Sequence, residues 1–120
     1  MRRTGPTNIM LRKLIKELKK ASNKYKAPVW DYVADLLSKP SRDRVVVNLG
    51  RLNRYVSDGD VVVVPGKVLG VGSLNKKITL AVASISLSAA DKVKASGSRL
   101  MHIRDLLNED PEGKGVKVIV

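Results

Sequence analysis

Three features of the sequence predict an α/β fold. A helical period runs from Thr7 or Asn8 to Tyr25, β-branched runs stand at residues 45–47 and 61–64, and a glycine-rich corner at residues 66–72 leads from the second run into another strand. A chain of 120 residues is the ordinary size of one domain and buries roughly two thirds of its unfolded surface. Residues 7–120 are therefore expected to form a single globular domain, helical over 7–39 and mixed strand and helix over 45–120. Residues 1–6 (MRRTGP) are charged and carry a Gly-Pro pair, which predicts a flexible basic arm.

The first helix starts at Thr7 or Asn8, either a good N-cap. At about 100° per residue, Leu11, Leu14, Ile15, Leu18, Ser22 and Tyr25 share one side. Arg12, Lys13, Lys16, Lys19, Lys20 and Lys24 share the other, within an arc of about 140°. Pro28 suits the start of a second helix, with Val29, Val33, Leu36 and Leu37 as its apolar stripe and Asp31 and Asp35 on the exposed side. Trp30 reads as a core anchor, base stacking being the other use of an indole there. Residues 38–44 (SKPSRDR) form a basic loop that stops this helix.

A short strand at 45–47 follows, and Asn48 is placed to cap a helix through Leu49, Leu52, Tyr55 and Val56, with Arg51 and Arg54 on its other side. Residues 57–60 (SDGD) make a turn. The all-valine run 61–64 favours a buried strand, after which Pro65-Gly66 is expected to turn the chain. A second strand is expected over 76–85. Ser88, three residues before Asp91, resembles a capping box, and Gly97 offers that helix's end. Leu100, Ile103, Leu106 and Leu107 make one more amphipathic set, stopped by Pro111. Alternation at Val116, Val118 and Val120 gives a last strand. No period of 20 to 50 residues is strict enough to be a repeat.

The run VVVPGKVLGVG with a lysine pair after it, preceded by VNLGRLNRY, resembles the eL-eighteen family of archaeal and eukaryotic large-subunit ribosomal proteins. The C-terminal half is similar to a bacterial large-subunit family, the one numbered fifteen, which shares the KVLG-x-G corner. The likeness extends from the basic first helix to the closing GVKVIV, and the length resembles the archaeal form. It implies irregular strand-strand-helix units wound as a short superhelix after a helical N-terminus, and a ribosomal protein held on large-subunit rRNA beside neighbouring ribosomal proteins.

Charge leads to the same class of partner. The chain carries 23 Lys and Arg against 11 Asp and Glu, a net +12. Such an excess points to polyphosphate or anionic lipid. Residues 1–26 hold nine basic residues and a single acid, Glu17, for a net +8. Like charges at i,i+4, such as Lys16 and Lys20, repel by a few tenths of a kcal/mol each, which a bound anion would relieve. The residues expected to face phosphate are Arg2, Arg3, Arg12, Lys13, Lys16, Lys19, Lys20, Arg42, Arg44, Arg51 and Arg54, with Lys67, Lys76 and Lys77 near the glycine corner. Only four aromatics occur, Tyr25, Trp30, Tyr32 and Tyr55, and none interleaves with basic residues on a predicted strand. This argues against a base-stacking sheet and for phosphate and shape recognition of folded RNA.

Catalysis and cofactors find no support. In a P-loop Gly-Lys precedes Ser or Thr, whereas Val68 follows it here. The dinucleotide pattern needs glycine at 75, which is Asn75, and then a helix. Gly66, Gly70 and Gly72 are expected to allow close backbone approach at a sheet corner, a reading compatible with close approach of phosphate. His102, the only histidine, is expected in a helical stretch with a structural or surface role. There is no cysteine, so a thiolate metal site and a disulfide are excluded. Asp105, Glu109, Asp110 and Glu112 read as a solvated acidic rim without calcium-loop spacing. The expectation is thus no enzyme, no cofactor or metal, and no small-molecule substrate. With no apolar h-region and no run of about 20 apolar residues, a soluble, cytoplasmic protein is expected. The alternative is a non-ribosomal basic module on RNA or on a membrane surface.

Overall fold

The computed structural model describes residues 9–40 and 43–120. The expected arm at 1–6, the N-cap at Thr7 or Asn8, and Arg2, Arg3 and Arg42 lie outside the described residues. The chain is mixed α/β, with a helical N-terminus followed by parallel strand and helix units in one sheet.

Helix α1 spans Ile9–Tyr25 and helix α2 Pro28–Leu37. Lys26, at φ 53°, takes the left-handed position that ends α1, and the Ala27 N–H returns to the Ser22 carbonyl at 3.0 Å. This closure usually uses glycine, so the sequence hides it. Pro28 then starts α2. Over residues 11–25 of α1 the buried residues are Leu14, Leu18 and Ala21, while Tyr25, expected on the core side, is 39 % exposed at the helix end. Trp30 is fully buried and its Nε1–H donates to the Pro111 carbonyl at 2.9 Å.

Strand β1 covers Val45–Asn48, and the Asn48 side chain accepts from the Arg51 N–H at 2.8 Å to cap helix α3, Leu49–Tyr55. Val56 is the extended residue after α3, and Tyr55 faces solvent at 53 % exposure. Strand β2 spans Val61–Leu69, straight through Pro65 and Gly66. The expected turn is therefore absent. Its place is taken by a one-residue bulge against the next strand, between Val64 and Lys67, so the missing Pro65 N–H falls where the ladder is already broken.

Strand β3 is Thr79–Ile85, shorter than the expected 76–85. Ahead of it the Lys77 N–H goes to the Asp58 carboxylate and the Ile78 N–H to the Ser98 hydroxyl, which removes both from a ladder. Helix α4, Leu87–Ala95, is capped by Ser86 rather than Ser88, because Ser86 is the residue still extended as β3 ends, and its oxygen accepts from the Ala89 N–H. Gly97, at φ 84°, follows its end. Strand β4, Arg99–His102, takes Leu100 and His102 out of the expected helix. Helix α5, Ile103–Glu109, stops before Pro111, and strand β5 is Val116–Val118.

All pairings are parallel, in the order β1-β2-β3-β4, with β5 also on β2. β1 takes the second half of one edge of β2, from Gly66 to Leu69, and β5 takes the first half, from Val61 to Val63. Consecutive parallel strands require every connection to carry the chain back to its starting end, which winds the units as a coil. Val63 and Ala81 face α1, α2 and α5, whereas Val62, Val64, Leu80 and Val82 face α3 and α4. Covered on both faces, the sheet reads as continuous apolar runs instead of alternation.

The glycine corner is a packing device. A Cβ on Gly66 would stand 2.0 Å from the Val45 carbonyl oxygen, one on Gly70 2.1 Å from the Ser88 hydroxyl, and one on Gly72, at φ 86°, 2.6 Å from the Gly50 nitrogen. Gly70→Val should lower the melting temperature of the isolated protein by an amount matching a loss of about 1–3 kcal/mol. Gly59→Ala is the control for φ alone, since no atom lies within 4 Å of its Cβ position despite φ 88°. It should cost only about 1 kcal/mol. Equal melting temperatures for Gly70→Val and wild type would disprove the packing role.

A second prediction concerns the start of β2. The Lys117 ammonium at 2.8 Å, and next the Ser57 N–H, hold the Asp60 carboxyl below its ordinary 3.8. A lowered folded pKa stabilises above the unfolded value and is lost as pH falls through the folded one. The melting-temperature gap between wild type and Asp60→Asn should therefore be full at pH 6 and close as the pH falls below 3.8 through the lowered folded value. A gap independent of pH would show that this clamp does not hold β5 to the β2 edge.

Candidate nucleic-acid interface

Helix α1 is held against the sheet by Leu14 and Leu18, which turns its opposite side outward. Lys13, Lys16 and Lys20 are exposed there, three and four residues apart on one face. Among the described residues none of the three side chains is in a hydrogen bond or ion pair. With Ile15, Glu17, Lys19, Asn23 and Arg104 they border an open cleft of about 720 Å³. Arg12 is also exposed.

Lys19 differs from its neighbours. Its ammonium bridges to α2, 2.8 Å from Asp35 and 3.0 Å from Asp31, and those carboxylates, Asp35 foremost, raise its pKa above the ordinary 10.5. Glu17 is engaged likewise, 3.0 Å from Arg104. Each of the three acids near the α1 face is thus engaged by Lys19 or Arg104, and among the described residues none of them pairs with Lys13, Lys16 or Lys20. The sequence placed Asp31 and Asp35 on the exposed side but did not show that α2 folds them back onto Lys19. Lys24 lies over the Tyr25 ring at 5.3 Å.

The remaining expected phosphate ligands fall into two groups. Arg54, Lys67 and Lys77 are exposed and keep their charged ends free among the described residues. Arg44 gives its Nε–H to the Lys39 carbonyl at 3.0 Å, and Arg51 gives two bonds to the Val120 carbonyl, at 3.2 and 3.0 Å, with its guanidinium 5.4 Å from the Tyr55 ring centre. Lys76 belongs to the fold, because its ammonium donates to the Asn53 and Val56 carbonyls at 2.7 Å each and so closes the C-terminal end of α3. Lys67, Lys76 and Lys77 do not converge. Lys77 precedes the sheet, and Lys67 is six residues along β2 from Val61, about 20 Å at strand spacing.

One cation escaped the sequence reading. Lys92 of α4 donates to the Gly70 carbonyl at 2.7 Å and the Gly72 carbonyl at 2.8 Å, tying the corner down. Nothing local distinguishes it from Lys94 two residues later. His102, expected within a helix, is the N-cap of α5. Its Nδ1 accepts from the Arg104 N–H at 3.1 Å while the Asp105 carboxylate accepts from the His102 N–H at 3.4 Å. Of the other acids in the expected rim, Glu109 pairs with Arg99 and Glu112 with Lys114.

A family model described as "Ribosomal proteins 50S-L15, 50S-L18e, 60S-L27A" matches residues 46–101, the stretch from β1 to β4. The similarity to curated proteins reaches further. The chain is 48 % identical over 117 residues to a Pyrobaculum aerophilum protein, covering 98 % of this chain and 96 % of that one. It is 46 % identical over 121 residues to a Methanopyrus kandleri protein, covering 97 % and 95 %. It is 42 % identical over 120 residues to an Archaeoglobus fulgidus protein, covering the whole of both. All three are named large ribosomal subunit protein eL18.

The chain belongs to the eL18 family. The region matched by the family model excludes α1 and α2, so the lysine face stands on a part that the eL18 relatives cover and that model does not. This geometry separates cations that hold the fold from cations that are free to meet an anion. Lys76→Ala should lose about 1–3 kcal/mol of stability through the two abandoned carbonyls, with no change in the salt dependence of RNA binding. Lys16→Ala should do the reverse. Thermal melts and binding isotherms across a salt series would check both, and a changed salt slope for Lys76→Ala would contradict the division.

Proposed function

We propose that this chain is a structural constituent of the large ribosomal subunit, bound to folded large-subunit rRNA beside neighbouring ribosomal proteins of the cytoplasmic ribosome. The role involves no turnover. The observation that carries the mode of binding is the α1 face, where three lysines have no ion-pair partner among the described residues because the nearby carboxylates pair with Lys19 and Arg104 instead. Such a face neutralises phosphate without reading sequence. Trp30, the strongest stacking group, is enclosed in the core, which favours phosphate and shape recognition over base stacking on an exposed indole. Arg44, Arg54, Lys67 and Lys77 extend the contact, and Arg2, Arg3, Arg12 and Arg42 add charge to it. Residues 7–120 act as one domain in this reading, with 1–6 as its arm. Among the described residues no helix is long and apolar enough to cross a membrane.

The test is a variant with Lys13, Lys16 and Lys20 all changed to Ala. Each lost phosphate contact should flatten the plot of log affinity against log salt by about 0.7–0.9. Binding to a large-subunit rRNA fragment should weaken strongly at low salt and little at high salt, with the fold kept because alanine is the best helix former. A wild-type slope in this variant would move the contacts to Arg44, Arg54, Lys67 and Lys77.

A further inference from the structure

A second cleft, of about 740 Å³, opens where α1 meets β1 and the later parts of β2 and β3, and none of the three α1 lysines borders it. One side is apolar. Leu11, Val46 and Ala83 line it over the buried Leu14 and Leu37, and Val46 is 58 % exposed, unusual for a valine in a sheet otherwise covered on both faces. The other side carries donors. Lys67 has no partner among the described residues, and Arg44 uses only its Nε–H, on Lys39. His102 accepts at Nδ1, which leaves Nε2–H to donate. Arg104, which pairs with Glu17 through Nη2, has a buried Nε–H with no acceptor. A buried N–H without an acceptor is rare. Asp105, the one acid here, is engaged at the start of α5.

We propose that this cleft takes one unpaired nucleotide of the bound RNA, its base against Val46 and Ala83 and its phosphate on Arg44 and Lys67. The proposal rests on the rRNA-binding reading above and adds a specific subsite to it. Base-paired RNA presents phosphates but no free apolar face, and an apolar peptide segment would leave Arg44 and Lys67 without an anion. An unpaired nucleotide supplies both a flat face for the wall and an anion for the rim, and such bases are the usual targets of specific RNA recognition. The volume falls in the range of small-molecule sites, about 300–1,000 Å³.

The full chain, with methyl groups of Leu, Val and Ala labelled with carbon-13, would be titrated with adenosine monophosphate, ribose 5-phosphate and sodium phosphate. The monophosphate should shift the Val46 and Ala83 methyls saturably, and ribose 5-phosphate should need at least tenfold more. Val46→Asp, at an exposed position, should keep the wild-type melting temperature and abolish the Ala83 shift. Lys67→Ala should weaken the nucleotide at least fivefold. Equal potency of the sugar phosphate, an unchanged titration in Val46→Asp, or shifts produced by N-acetyl-leucine amide and not by the nucleotide would each overturn the proposal, the last by marking a protein contact. If the nucleotide fails to bind while the triple lysine variant still flattens the salt slope, only this subsite falls. If the nucleotide binds and the slope is unchanged, the lysine-face reading falls and the subsite stands.

Discussion

The rest of the structure depends on the enclosure of β2. Of its nine residues only Lys67 is exposed, since β3 runs along one edge, β1 and β5 divide the other, and helices cover both faces. A strand with so little water contact must satisfy its backbone groups within the sheet and fill its side-chain space with apolar volume. Valine at 61–64 does the second. At Gly66 the first becomes severe, because β1 comes so near that any side chain would overlap the Val45 carbonyl. Pro65 is tolerated beside it because the bulge already breaks the ladder there.

Enclosure also sorts the charges. With no polar or charged residue buried among those described, every described Lys and Arg lies at or near the surface, and what separates them is whether a carbonyl or carboxylate is in reach. Lys76 and Lys92 close the backbone ends that the coil leaves open, at α3 and at the glycine corner. Lys117 and Lys19 cross between elements to Asp60 and to Asp31 and Asp35. Cations spent in this way are parts of the scaffold. Lys13, Lys16 and Lys20 of α1 have no such use among the described residues, and their charge acts over the roughly 10 Å of a Debye length at moderate salt.

The sequence made legible whatever depends on one residue type or on a short period. The amphipathic face of α1, Pro28 at the start of α2, the Asn48 cap and Gly97 all follow from neighbours a few residues away. What it concealed depends on partners distant in the chain. Pro65-Gly66 reads as a turn because the local signal is strong, and only the approach of β1 and β3 from either side makes a straight strand the better solution. His102 reads as helical because its neighbours suit a helix, until pairing of Val82 with His102 extends β4 to that residue and gives it the cap. For the interface, the lysine cluster of α1 was legible as a group. The withdrawal of Lys19 from it was not, since the contact spans 12 and 16 residues and requires α2 to fold back.

Magnitudes decide whether α1 needs an anion in order to exist. Lys16 and Lys20, and Lys13 with Lys16, repel by a few tenths of a kcal/mol each. On the opposite face Leu14 and Leu18 are 1 % and 0 % exposed, and each contributes about 1.5–3 kcal/mol by burial. Packing exceeds repulsion several-fold, so the helix forms in the free protein and the lysines wait on a rigid support. The repulsion that suggested a bound anion is therefore no condition for folding. It is instead a property of the free surface that an RNA backbone would relieve on arrival under the proposed reading, and because α1 is already ordered, such an association would spend little of its energy on arranging the helix.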